Sequence, residues 1–141
     1  MRPYQKILAA VETTKEGFEI LKRASQFAEA FGTELTVLSV VEFYAVTGEL
    51  IEPTELSEER AKRTRGLLGE WCQQLGIAPR TEVIVGEPKL EVPKLAEALS
   101  ADLLIIGHHP HRGLSAWISH TDQSVLGRAT CDVLAISNKP H

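Results

Sequence analysis

The chain is 141 residues long, 43% hydrophobic and 24% charged, with a formal charge of −4. A chain of that length buries roughly two thirds of the surface its unfolded form exposes, which suits a single domain over residues 1–141. The acidic balance argues against nucleic acid as a partner, and no apolar run approaches the roughly 20 residues of a membrane helix, so no membrane role is expected.

The opening stretch MRPYQKILAAVETT turns polar too soon for a signal peptide, and a cytoplasmic location is expected. Its apolar run 6–11 has the continuity of a strand covered on both faces. A helix follows at once, with Thr13 and Glu16 at capping-box spacing, Ile20, Ala24, Phe27 and Phe31 at helical intervals, and Gly32 as the stop. The β-branched run 34–43 reads as a second strand. The Glu-rich stretch 44–56, with Gly48 and Pro53, reads as a flexible surface excursion, and a long helix runs from near Ser57 to Gly76. RTEVIVGE gives a third strand, Pro88 opens a helix through about Leu99, and DLLIIG gives a fourth strand. After a histidine-rich loop, 121–129 reads as a helix and DVLAISN as a fifth strand. Cys72 and Cys131 have no paired spacing and read as small buried apolar residues.

Strands alternating with helices imply right-handed crossovers, and hence an α/β fold with a parallel sheet and helices on both faces. In such a sheet ligands bind beyond the carboxyl ends of the strands where the winding direction reverses. Those ends carry Glu12 with Thr13, Val40 to Glu42, Gly86 with Glu87, and Gly107 with the loop after it. Each of the two glycines ends an apolar strand, where it either turns the chain or permits close backbone approach.

The segments KILAAVETT, TVLSVVE, VIVGEP and ADLLIIGHHPHRGL…DQSVLGRATCDVLAI resemble the universal stress protein family over nearly the whole length, and Gly107-His108-His109 is similar to the universal stress protein A type. The resemblance implies a single open five-stranded sheet of order 3-2-1-4-5, adenine nucleotide alpha hydrolase-like, with its switch point between strands one and four. It also implies a homodimer. Many members bind ATP through a loop reading Gly, two residues, Gly, eight or nine residues, Gly, then Ser or Thr, because glycines let backbone amides approach phosphates. On that pattern Gly107 matches the first position and Pro110, which has no N–H, stands at the second. Ser119 and His120 stand at the third glycine and the hydroxyl with Thr121 next, or His120 and Thr121 stand there on the longer count.

In the nucleotide-binding members that the chain resembles, the acidic residue closing the first strand is usually an Asp beside the adenosine. Here it is Glu12, after Val11, and Val40 matches the family position whose backbone meets the adenine. Gly113 offers loop freedom, while His111, Arg112 and His120 offer cationic donors. The nucleotide set implied is therefore Val11, Glu12, Val40, Gly86, Gly107, His109, Pro110, Arg112, Gly113, Ser119, His120 and Thr121. With the cradle short of glycines, the crevice is expected to take ATP or AMP weakly or no nucleotide. A true adenine-nucleotide site using His and Arg donors is the alternative.

His108, His109, His111 and His120 invite a metal reading, but adjacent side chains seldom converge on one ion and no cysteine or spaced carboxylate completes a set. A phosphoacceptor receiver lacks its paired acids and its Asp. Ser115, Ser119, Thr121, His120 and Asp122 lie close in sequence without the pattern of a triad, so no enzyme is expected. The reading is a cytoplasmic stress-response module that dimerises through Val133, Leu134, Ala135 and Ile136 of the fifth strand and engages an unidentified protein partner.

Overall fold

The computed structural model describes residues 4–42, 45–46, 50–51, 54–108 and 131–137. Its strands are β1 (Lys6–Ala10), β2 (Glu34–Glu42), β3 (Ala45–Val46), β4 (Leu50–Ile51), β5 (Arg80–Gly86), β6 (Leu103–His108) and β7 (Asp132–Ser137). Among the described residues three helices, α1 (Lys15–Phe31), α2 (Thr54–Leu75) and α3 (Pro88–Ala98), connect them. The main sheet has five strands in the order β5-β2-β1-β6-β7, all parallel. Counting only its own strands along the chain, that is the order 3-2-1-4-5.

The continuous apolar runs are explained by burial on both faces. Ile7, Ala9 and Val11 pack with Val37, Leu103 and Ile105 against Ile20, Leu21, Ala24 and Ala28 of α1 and Leu68 and Cys72 of α2. The alternate residues Leu8, Ala10, Leu38, Leu104 and Ile106 pack against Val92 and Ala96 of α3. Phe18 meets the edge of Trp71 with ring centroids 5.5 Å apart, which ties α1 to α2.

The amino end of the sheet is laced by polar contacts. The Asp102 carboxylate accepts the Gln5 and Lys6 N–H groups at 2.8 and 3.0 Å, and the Tyr4 hydroxyl donates to Asp132 at 2.9 Å.

Local details depart from the sequence reading in three places. The α1 cap is Thr14, whose hydroxyl accepts the Gly17 N–H at 3.1 Å, and not Thr13 one residue earlier. Both hydroxyl residues satisfy the sequence pattern, and only the turn geometry chooses between them. At its other end Gly32 adopts φ 61 and lets the Thr33 N–H reach the Ala28 carbonyl, as its place in the sequence requires. Helix α2 begins three residues before Ser57, at Thr54. The stretch read as an irregular excursion contains an antiparallel pair, Ala45 with Ile51 and Val46 with Leu50. The predicted helix over 121–129 lies outside the described residues.

Candidate functional site

The winding direction reverses between β1 and β6, since β2 and β5 build outward from one side of β1 and β7 from the far side of β6. The carboxyl ends of β1 and β6 therefore diverge into a crevice. Register decides which residues line it. Ala9 pairs with Ile105, so two steps further along each strand Val11 comes level with Gly107. Ala10 pairs with Leu38 on the other side, which brings Glu12 level with Val40. Four of the residues singled out in the sequence thus converge on one edge.

Their environments differ. Val11 is buried and its N–H donates to the Leu38 carbonyl at 2.9 Å, prolonging the ladder one step past β1. Glu12 is exposed, and Val40 is half-buried against the α3 side of the core. Gly107 is half-buried beneath α1: a Cβ there would stand 3.1 Å from Ile20 Cγ1, closer than ordinary packing. Its missing side chain thus serves strand–helix packing at the crevice wall.

Gly86 falls elsewhere. It ends β5 opposite Glu42, with β2 and β1 between it and β6, about 14 Å across the sheet at ordinary strand spacing. It is buried, and a Cβ would meet Glu91 Cγ at 2.9 Å, so its local reason is the tight turn into α3. His109, Pro110, Arg112, Gly113, Ser119, His120 and Thr121 lie outside the described residues. So does His111, the other proposed donor.

On β7, Val133 and Ala135 are exposed, Leu134 is half-buried against the α1 side of the core, and Ile136 is buried within it. The Arg23 side chain of α1 reaches the Ser137 carbonyl at 3.4 Å at the end of that strand.

Sequence reasoning missed Gly17. It is buried in the first turn of α1, and a Cβ would stand 1.6 Å from the Glu12 carbonyl oxygen. The signal was present in the sequence: a glycine inside the first turn of an otherwise good amphipathic helix has no propensity reason to be there.

A sheet wound both ways about a switch-point crevice, in this strand order, defines the adenine nucleotide alpha hydrolase-like class. Residues 3–137 match the model of the universal stress protein family, and the chain belongs to that family. Universal stress protein A homolog 1 of Coxiella burnetii is 33% identical over 138 residues, which take in 94% of this chain and 96% of that one. Among solved structures, a universal stress protein in complex with cAMP is similar at a TM-score of 0.68 and 17% identity, over 96% of this chain and 98% of the other. The universal stress protein of Archaeoglobus fulgidus in complex with dAMP is similar at a TM-score of 0.65 and 21% identity, over 96% and 99%. Among the described residues, no helix is long and apolar enough to cross a membrane.

Proposed function

We propose that this stress-response protein works as a homodimeric regulatory module in the cytoplasm, engaging a protein partner, with a crevice that takes AMP weakly and ATP more weakly still. The observation that carries the nucleotide part is the strand register, which brings Val11, Glu12, Val40 and Gly107 to one edge at the switch point. Two proteins of this fold were solved with adenine nucleotides that carry a single phosphate, cAMP and dAMP. A single phosphate needs fewer amides than a triphosphate does. Pro110 withholds an N–H at the second glycine position, and Ser119 on one count or His120 on the other stands at the third, so on either count the cradle lacks two glycines. The module has no catalytic residue in this reading; occupancy of the crevice would tune binding of the partner.

The experiment is calorimetric titration of the purified dimer with AMP, cAMP and magnesium ATP. ATP is expected to bind no tighter than about 100 μM, equivalent to roughly 5.5 kcal/mol, with AMP the tighter ligand. Low-micromolar binding of ATP would overturn the reading, and so would the absence of binding by all three.

A further inference from the structure

We infer that Gly17 is a positioning residue for this crevice, holding the Glu12–Thr13 peptide so that the Thr13 N–H is turned away from α1 to the open side of the turn. The inference rests on the crevice reading above. It starts from a distance. The ideal Cβ position of Gly17 lies 1.6 Å from the Glu12 carbonyl oxygen, 2.7 Å from its carbon and 3.2 Å from its nitrogen. The first two separations are shorter than any non-bonded contact, so the strand end and the helix touch backbone to backbone. Only a residue without a side chain allows it.

A peptide group is rigid, and the described chain has no cis bond. With the Glu12 carbonyl aimed at Gly17, the Thr13 N–H on the same peptide points the opposite way. Among the described residues neither the Thr13 nor the Glu12 N–H meets an acceptor, whereas the Val11 N–H just before them is bonded to Leu38. Gly17 is itself fixed, being buried and giving its own N–H to the Thr14 hydroxyl. The helix start therefore acts as a stop against which the end of β1 rests, and that stop sets the direction of a donor that meets no acceptor among the described residues.

Adding a methyl group at position 17 must push the Glu12 carbonyl aside and rotate that peptide. AMP affinity of Gly17→Ala is expected to fall about tenfold, the worth of a misdirected hydrogen bond. Gly66→Ala and Gly69→Ala make the same chemical change on α2 in open space and should leave affinity unchanged. A merely structural role would lower the denaturation midpoint without altering the affinity of the folded protein, and that result, or unchanged affinity in Gly17→Ala, overturns the inference. A variant that fails to fold moves the decision to the parent protein. There the Thr13 amide resonance should shift on adding AMP, and a resonance that stays in place overturns the inference. If the parent binds no nucleotide, the functional reading falls separately. The Glu12 and Thr13 amide resonances in Gly17→Ala then decide the positioning role: displacement beyond the rest of α1 upholds it, and unchanged positions overturn it.

Discussion

Tyr4 shows how single side chains at the amino end of the sheet set its response to pH. Its phenol is held above the ordinary value by the hydrogen bond it gives Asp132, then by desolvation and by the negative charge of Asp132 and Asp102. Burial pushes the Cys72 thiol up, and burial followed by the charges of Asp132 and Asp102 does the same at Cys131. In each case the unfolded chain loses its proton first. The contribution to stability is therefore whole below the unfolded values, about 8.5 for a thiol and 10 for a phenol, and is lost as pH rises through the folded ones. Urea midpoints measured from neutral to strongly alkaline pH are expected to fall above those values. Tyr4→Phe should flatten the upper part of the curve, and an unchanged slope would remove Tyr4 from the account. Burial of Cys72 was legible in the sequence, whereas Cys131 is only half-buried. The Tyr4 contact was not legible, because Tyr4, Asp102 and Asp132 are far apart in the chain and only the strand order brings them together.

The helices reveal where local preference and tertiary need part company. Gly66 and Gly69 sit in the middle of α2 with nothing within 4 Å of an added Cβ, so the backbone freedom they carry serves no contact among the described residues. Replacing either with alanine is expected to stabilise the protein by about 0.5–1 kcal/mol in chemical denaturation. Just past α3 the opposite holds: Ser100 adopts φ 54, a left-handed conformation that disfavours a side chain, while its N–H bonds to the Glu97 carbonyl. Ser100→Gly should gain about 1 kcal/mol in the same assay, and a loss would mean the serine side chain has a role of its own. Elements with a strong period were readable in advance. The alternation-free run of β1 announced burial on two faces, and Gly32 and Pro88 announced where helices stop and start. Thr13 against Thr14 and Ser57 against Thr54 were decided by geometry that composition does not encode. Ala45 pairs with Ile51 in a segment whose residues carry no alternating pattern to announce a strand.

At the scale of the molecule, the sheet order followed from resemblance and the crevice from the order. Gly107 was found by its place at a strand end, while Gly17 went unnoticed because its partner is a carbonyl oxygen and sequence patterns speak of side chains. The proposed dimer is where this scale offers a test. Among the described residues β7 pairs only with β6, and Val133 is 37% exposed on a strand whose Ile136 is buried at 5%. Sedimentation at micromolar concentration should show a dimer, and Val133→Asp should shift it toward monomer with little change in folding. Leu134→Lys is a poorer probe, since Leu134 packs against the core and would disturb the fold as well as the interface. A monomer for the parent protein would end the proposal.

The central position of β1 carries a consequence for how the protein is made. Its neighbour on one side, β2, leaves the ribosome soon afterwards, but the partner on the other side begins at Leu103. At about 5–20 residues per second, the stretch from the end of β5 at Gly86 to the end of β6 at His108 takes about 1–4 seconds to appear. Throughout that interval a half-sheet of β5, β2 and β1 would leave the apolar strand β1 at an edge, without the partner that covers it in the finished fold. The switch-point crevice has no second wall until β6 docks, so a chain still under synthesis has no crevice to offer any ligand.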